Sequence, residues 1–277
     1  MLVPLHELAG SARAAGRGLG AFNVIHLEHA TAFVRAAERA GTAVVLQISQ
    51  NAVAYHGALE PICVATLAIG QASSAPVAVH LDHAEDTALV AEAVRLGVQS
   101  VMYDGSKLPD DENRATTAAM ARLCHAAGVD IEAELGEVGG KNGVHDPSAR
   151  TSPQDAAAFV SDTGVDLLAV AVGSSHAMTT RDAHLDDDLI RAIRAAVDVP
   201  LVLHGSSGVS DTGMTAAIAA GMTKINVSTH LNKVFTGSVR AALAEDPAMV
   251  DSRKWMKPAR AAVEDETCRL LRLYAGA

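Results

Sequence analysis

The feature that most constrains this chain is a regular alternation of short apolar runs with helical patterns. Each run is rich in Val, Leu, Ile and Ala, and each is followed by a segment whose apolar residues have helical spacing. Parallel strands covered by helices give this pattern. The predicted strands are Ala21–Val24, Ala43–Ile48, Val77–Leu81, Ser100–Tyr103, Val129–Glu134, Asp166–Val172, Leu201–Leu203 and Lys224–Val227.

Eight strands that are each followed by a helix predict an α/β fold, the (β/α)8 TIM barrel, with an N-terminal helix and extra C-terminal helices. No change of composition marks a linker, so residues 1–277 are predicted to form a single barrel domain. An open doubly wound sheet is the alternative, because counting strands does not show that the sheet closes.

Composition narrows the classes of partner. Hydrophobic residues make up 49% of the 277 residues but aromatic residues only 3%, which favours an aliphatic α/β core. A net charge of −10 argues against a nucleic-acid partner, since binding to phosphate backbones needs clustered cations. No apolar run approaches the roughly 20 residues of a membrane span, so we expect no membrane partner. Three widely separated cysteines, Cys63, Cys124 and Cys268, favour reduced core thiols and a cytoplasmic location.

Reactive side chains follow three of the predicted strands. Asp82 and His83 come at the end of the third strand, His176 after the sixth and His204 after the seventh. In a barrel these strand ends share one mouth, so the side chains are expected to converge. Three imidazoles that leave an open position are a ligand set of catalytic zinc. Asp82 would then serve as an acid/base group or as a carboxylate that orients an imidazole.

Because Asp82 and His83 are adjacent in sequence, they constrain where the third strand ends. Neighbouring residues of a strand point to opposite faces. Both side chains therefore reach the mouth only if the strand has ended at Leu81, and we expect it to end there.

A Schiff-base lysine is the competing way to stabilise a carbanion beside a carbonyl. Lys107 is predicted to lie in a polar loop, and Lys224 to begin its strand, at the end away from the mouth. The residues present therefore favour the metal route.

Two further strand ends have the features of anion sites. Gly205-Ser-Ser-Gly208 follows the seventh strand and Asn226-Val-Ser-Thr229 the eighth, and each leads into a helix. Barrels often hold phosphate with these two loops and a helix N-terminus. Together the loops predict a phosphorylated substrate.

Over essentially its whole length the chain resembles the class II, metal-dependent fructose-bisphosphate and tagatose-bisphosphate aldolases. The resemblance rests on many short segments in the right order. These are Ala21-Phe-Asn-Val24, Gln47-Ile-Ser49 with Tyr55 and Gly57, Val79-His-Leu-Asp-His83, Val101-Met-Tyr-Asp-Gly-Ser106, Ile131-Glu-Ala-Glu-Leu-Gly136 with Gly139-Gly140, Leu203-His-Gly-Ser-Ser-Gly208 and Lys224-Ile-Asn-Val-Ser-Thr229.

The resemblance implies roles for individual residues. His83, His176 and His204 would hold the catalytic zinc, while Asp82 acts on the C4 hydroxyl as the C3–C4 bond breaks. A second cation position, for a metal or a monovalent ion, is implied at Glu134, with Asp104 as its outer neighbour. The implied substrate-binding and phosphate-binding positions are Gly205, Ser206, Ser207, Asn226, Val227, Ser228, Thr229, Ser49 and Asn23.

The segment Asp251-Ser-Arg-Lys-Trp255 resembles the part of the family whose arginine reaches a neighbouring subunit's site and binds a second phosphate. Arg253 is the matching residue, which implies a homodimer or homotetramer. The alternative is a solvated surface arginine.

The chain departs from the family pattern in three places. Lys141-Asn142-Gly143 stands where the family has a Glu-Asp pair, so the second proton-transfer role is unassigned among Glu137, His145 and Asp146. Ala177 replaces the glycine after the second zinc histidine. Ser228 replaces the aspartate of the fructose-specific branch and leaves the sugar open.

The implied function is that of a zinc-dependent aldolase. It would reversibly cleave a ketose phosphate, such as fructose-1,6-bisphosphate, tagatose-1,6-bisphosphate or a related sugar, to dihydroxyacetone phosphate and an aldehyde. The alternatives are a metal-dependent sugar-phosphate epimerase and a non-catalytic phosphosugar-binding relative. Asp82 argues against the last, because a binding protein needs no positioned base.

Overall fold

The strands of this protein close into one barrel. The structure, a computed structural model, describes residues 1–135, 150–175, 178 and 180–276. Eight parallel strands pair in chain order and β1 pairs with β8, which confirms the predicted barrel. The strands are β1 Leu19–Asn23, β2 Val44–Ser49, β3 Val77–Ala84, β4 Ser100–Tyr103, β5 Asp130–Leu135, β6 Leu167–Val170, β7 Leu201–Leu203 and β8 Met222–Val227.

The helices surround the sheet and cap one of its ends. The α-helices within the described residues are α1 Leu5–Ala14, α2 Leu27–Ala40, α3 Gln50–His56, α4 Glu60–Ala72, α5 Thr87–Leu96, α6 Asp110–Ala126, α7 Pro153–Thr163, α8 Asp187–Ala196, α9 Asp211–Ala220, α10 Thr229–Glu245 and α11 Ser252–Ala275.

Side chains cap the starts of two helices near the site and at the C-terminal end of the chain. The short helix α3 was not predicted; Ser49 caps it by accepting a hydrogen bond from the backbone N–H of Ala52 at 3.2 Å. Helix α11 begins at Ser252, where the Asp251 side chain caps it by accepting from the backbone N–H of Arg253. Pro258 therefore lies inside the helix.

The core has an inner and an outer layer. The outer layer packs the strands against the surrounding helices, and Phe22 and Phe33, which are fully buried, meet there with ring centroids 5.3 Å apart. The inner layer fills the N-terminal half of the barrel with small aliphatic side chains, and Leu5 and Leu8 of α1 cover it from below. The C-terminal half of the barrel interior is instead lined with buried polar groups, which places the reactive residues at one end.

Strand β3 does not end at Leu81, and in this respect the sequence prediction was wrong. The strand continues to Ala84, but its pairing with β4 shifts from Leu81 opposite Val101 to Ala84 opposite Tyr103. Three steps along β3 thus match two steps along β4, which is a β-bulge. His83 lies in this bulge with a left-handed φ of 50°. The extra residue breaks the alternation of faces, so the strand need not end for Asp82 and His83 to serve the same mouth.

All three cysteines are buried, and within the described residues none forms a disulfide.

Among the described residues no single helix is both long and apolar enough to cross a membrane. Only helices α3 and α4 taken together pass that test, and they are bent at 117° to each other.

A buried histidine at the start of α2 makes stability depend on pH. His29 accepts a hydrogen bond at Nδ1 from the backbone N–H of His26 at 3.2 Å, and its ring stacks on Phe33. Burial, and then the neighbouring ring of His26, lower the pKa of His29 to about 4. The folded protein therefore holds this ring neutral.

We expect the His29→Leu variant to lose part of the acid sensitivity of the wild type. Because the folded-state pKa lies below the unfolded value of about 6.5, the unfolded chain binds more protons between these values. The His29 contribution to stability is fully present above pH 6.5 and is lost as pH falls toward 4. Urea denaturation of the two proteins between about pH 7 and pH 4.5 measures the difference.

His125→Leu is the matched control, since His125 is half-exposed and pairs with Asp166 at the surface. This variant should retain the steep loss of stability through the same range. Equal pH slopes for His29→Leu and the wild type would contradict the assignment.

Candidate metal and substrate site at the barrel mouth

Asp82 is enclosed within the site. Its side chain is buried, and amide groups from three strands point at the carboxylate. The Nδ2 atoms of Asn23 and Asn226 lie 3.2 and 3.4 Å from Oδ2 and Oδ1 respectively, and Gln47 Nε2 lies 3.5 Å from Oδ2. Burial alone would raise the pKa of Asp82, but the nearby His83 and Lys224 lower it. Asp82 is therefore an oriented carboxylate at neutral pH.

His83 is oriented by Asp104, which follows the neighbouring strand. Its Nδ1 lies 2.8 Å from Oδ2 of Asp104, the residue that follows β4. The other Asp104 oxygen accepts hydrogen bonds from the backbone N–H and the hydroxyl of Ser106, at 3.2 and 2.6 Å. Asp104 thus fixes the imidazole ring, because its own two oxygens are both occupied.

His204 lies directly after β7 and is fully buried between two carboxylates of β5. Its Nδ1 lies 2.7 Å from Glu134 Oε2 and its Nε2 lies 3.1 Å from Glu132 Oε1. Burial would lower the pKa of His204, but the hydrogen bonds to Glu132 and Glu134 raise it to about 9. The His204 ring is 4.5 Å from the ring of His83, centroid to centroid.

These residues fit a divalent cation. Ligand atoms of Asp82, His83 and His204 lie within 4.8 Å of one another, and so do those of His83, Asp104 and Glu134. Imidazole nitrogens with carboxylate oxygens are a donor set that zinc accepts. Metal ligands bind in their deprotonated form. A cation bound at His204 Nδ1 would therefore replace the proton that this nitrogen shares with Glu134. The site offers two overlapping groups of ligands.

The loops after β7 and β8 are tied to each other beside this cluster. The Ser206 hydroxyl donates to the backbone carbonyl of Asn226, and the Ser207 hydroxyl accepts from the backbone N–H of His230 at 3.2 Å. The segment Ser206–Gly208 forms a short 3-10 turn, and Thr229 begins helix α10. These contacts place both predicted anion loops at the start of one helix.

The remaining predicted substrate positions are distributed around the same end of the barrel. Ser49 ends β2 opposite Asp82 of β3, and Val227 ends β8. Ser228 stands directly before α10, without a capping hydrogen bond from its side chain.

Arg253 lies near the start of helix α11. Its side chain is 89% exposed, and its guanidinium pairs with the carboxylate of Asp251 at 2.9 and 3.0 Å.

Several predicted positions lie outside the described residues. They are the third predicted zinc ligand, His176, the neighbouring Ala177, and the segment Lys141–Gly143 with the candidate proton-transfer residues Glu137, His145 and Asp146. The roles predicted for them stay predictions.

Sequence reasoning missed three side chains of the barrel interior, Gln47, Glu132 and Lys224. Each of them lies two residues before a predicted site residue on the same strand. Residues two apart on a strand point to the same face, and this spacing is the signal that could have identified them. The prediction for Lys224 was also wrong, because β8 begins at Met222 and Lys224 is its third residue. Its Nζ is fully buried, 2.8 Å from Glu132 Oε2.

A barrel mouth that combines a carboxylate with two imidazoles and paired anion loops is typical of metal-assisted enzymes that act on phosphorylated substrates. The family model for class II fructose-bisphosphate aldolase matches residues 3–277. The chain therefore belongs to the class II fructose-bisphosphate aldolase family, a family of metal-dependent lyases.

Individual proteins that are similar to this chain are also named as aldolases. The chain is 34% identical to a probable fructose-bisphosphate aldolase of Bacillus subtilis over 277 residues, which are 99% of this chain and 97% of the relative. The crystal structure of the YdjI aldolase from Escherichia coli K12 is similar with a TM-score of 0.88 and 29% identity, covering 99% of this chain and 97% of the other. A putative fructose-1,6-bisphosphate aldolase from Coccidioides immitis has a TM-score of 0.85 and 26% identity, covering 97% and 94%.

We expect the Gly205→Ala substitution to damage the site. Gly205 has a φ of 66°, and a Cβ added there would lie 2.6 to 2.9 Å from backbone atoms of Ser175. Backbone cannot move aside as a flexible side chain does, so the cost is left-handed strain together with a clash, about 2–4 kcal/mol of unfolding free energy. Urea denaturation and aldolase activity measure the two effects.

The control is Gly57→Ala, because Gly57 has a similar φ of 79° with nothing within 4 Å of an added Cβ. It carries only the backbone strain, about 1–2 kcal/mol, and should leave activity unchanged. Equal losses of stability in the two variants would refute the close approach at Gly205.

Proposed function

We propose that this protein is a zinc-dependent aldolase that reversibly cleaves a ketose phosphate between C3 and C4. The products are dihydroxyacetone phosphate and an aldehyde. The observation that carries the proposal is the convergence of Asp82, His83 and His204 within 4.8 Å at the barrel mouth of a class II aldolase family member. In this proposal His83, His204 and His176 hold the zinc, and Glu134 with Asp104 forms a second cation position.

The proposed chemistry divides between the metal and the protein. When bound, zinc would supply Lewis-acid polarisation of the substrate carbonyl. Asp82 accepts the proton of the C4 hydroxyl in the cleavage direction and returns it in the synthesis direction. Its ionised state and the amide groups of Asn23, Gln47 and Asn226 suit this task, since they aim its oxygens without protonating them.

The anion loops would hold the phosphate of the dihydroxyacetone phosphate portion. Backbone N–H groups at the start of α10, together with the Gly205–Ser207 turn, offer donors at the positive end of a helix dipole. A local cradle of this kind suits a protein whose net charge of −10 would otherwise repel a phosphate.

A second phosphate would be bound by Arg253 of a neighbouring subunit. The high exposure of this side chain supports a role outside its own barrel. The proposed assembly is therefore a homodimer or homotetramer in which each site takes one arginine from its neighbour.

Asp82→Asn is expected to lower kcat for ketose-phosphate cleavage by roughly 10²–10⁴-fold, because it removes the proton acceptor but keeps the shape of the side chain. Zinc content should stay at the wild-type level. Triose-phosphate release from fructose- and tagatose-1,6-bisphosphate, with and without a chelator, measures the activity. Asp162→Asn, which removes a surface carboxylate paired with Arg114, is the control and should retain full activity.

Three results of this assay would contradict the proposal. Cleavage that is unaffected by chelation would exclude the zinc mechanism. Interconversion of sugar phosphates without free triose phosphate would identify an epimerase. Tight binding of ketose phosphates without turnover would identify a binding protein.

Mixing two impaired variants tests whether Arg253 acts across subunits. Arg253→Ala is expected to raise KM for a ketose bisphosphate about tenfold or more, the effect of losing a charged hydrogen bond. When equal amounts of Arg253→Ala and Asp82→Asn chains are unfolded together and refolded, about half of the dimers are mixed. One of the two sites in each mixed dimer has both groups, which is about a quarter of all sites. Activity at low substrate should then exceed that of either variant alone. Lys257→Ala, an exposed change on the same helix, serves as the control for Arg253→Ala and should leave KM unchanged.

Failure of the mixed dimers to regain activity would place Arg253 outside the neighbouring site. Sedimentation of the wild type as a monomer would exclude the shared site altogether.

A further inference from the structure

A charged pair lies inside the barrel directly beneath the proposed metal ligands. Glu132 of β5 and Lys224 of β8 are both fully buried, with Lys224 Nζ 2.8 Å from Glu132 Oε2. The other carboxylate oxygen, Oε1, lies 3.1 Å from Nε2 of His204. The barrel therefore contains an ordered series of contacts from Lys224 through Glu132 to His204.

Stability alone does not account for this pair. Desolvation of two buried charges offsets most of their attraction, and replacing such a pair with apolar side chains of similar volume is often neutral or stabilising. The layer nearer the N-terminal end of the same barrel is filled by aliphatic side chains such as Leu167 and Val202. The two charges thus occupy positions that apolar side chains could fill, and Glu132 contacts His204 of the site above them.

The two nitrogens of His204 face different partners. Nδ1 lies toward Glu134 and the mouth, whereas Nε2 lies toward Glu132 and the barrel interior. An imidazole that binds a metal through one nitrogen carries its proton on the other, and an acceptor for that proton fixes both the tautomer and the ring orientation. Glu132 is such an acceptor, and burial between Lys224 and His204 restricts where its carboxylate can lie.

We propose that Glu132, held by Lys224, is the positioning residue that keeps the proton of His204 on Nε2 and so presents Nδ1 to the metal. This inference rests on the proposed function, because it takes His204 to be a metal ligand. It also assigns Lys224 a role different from a Schiff-base nucleophile, since its ammonium is engaged by a carboxylate within the barrel.

Paired substitutions test the proposal without leaving a lone buried charge. In one protein Lys224→Met is combined with Glu132→Gln, which keeps a neutral hydrogen-bond acceptor of the same shape. In a second, Lys224→Met is combined with Glu132→Met, which removes the acceptor. The two proteins differ only at residue 132, so a difference between them reports on the hydrogen bond to His204.

Zinc affinity is the first measurement, made by competition with a chromophoric chelator. The variant with Met at both positions is expected to bind zinc about 10–100-fold more weakly than the wild type, as for other losses of an outer carboxylate. The Gln variant should fall between them. Asp130→Asn is the matched control: Asp130 also lies on β5 and pairs with a histidine, His6, but at the far end of the strand. It should bind zinc like the wild type.

The visible spectrum of the cobalt(II)-substituted proteins is the second measurement. A ligand ring that loses its fixed orientation changes the cobalt coordination, so the band positions or intensities of the Met variant should differ from those of the wild type. Thermal denaturation of the metal-free proteins verifies that all variants fold.

The outcomes separate this inference from the proposed function. A wild-type protein that binds no zinc would overturn the proposed function. A wild type that binds zinc, together with a folded Met variant that has the same zinc affinity and the same cobalt spectrum, would overturn the role of Glu132 alone.

Discussion

The closure of the sheet between β1 and β8 is the constraint on which the rest of this structure depends. Residues Leu19–Phe22 pair in parallel with Lys224–Val227, so that the strands have no open edge. All eight C-terminal ends then face one mouth, and side chains that are 144 residues apart in sequence, such as Asp82 and Asn226, come within 3.4 Å. In an open sheet with the same strand order, β3 and β8 would lie far apart, and Asn226 would not reach Asp82.

Closure also creates a small interior from which water is excluded, and the chain divides that interior into two halves. Aliphatic residues with helix α1 fill one half, while Glu132, Lys224, His80 and the amide of Gln47 fill the other. Interactions between charges are stronger in such surroundings than at a surface. The polar half therefore acts on the charges of Asp82 and His204 at the mouth, whereas the aliphatic half supplies burial.

The sequence predicted the strands well because each one is a short apolar run bounded by helical spacing, and the strand ends then indicated Asp82, His83 and His204. The bulge in β3 could not be predicted, because no residue pattern distinguishes a strand that ends at Leu81 from one that gains an extra residue. Glu132 was missed because charged residues within strands are usually taken as surface positions, and Lys224 was misplaced because its strand was predicted to begin there and not at Met222. Their burial depends on register, which only the paired strands fix.

The contact between the loops after β6 and β7 has a consequence for how the mouth can move. The backbone of Gly205 lies against that of Ser175, and the Ser174 hydroxyl donates to the carbonyl of His204 at 2.6 Å. The two loops are therefore mechanically joined, and a displacement of one must displace the other. Substrate entry or product release that shifts the Ser174–Ser175 backbone would be transmitted to His204 without any change in the strands.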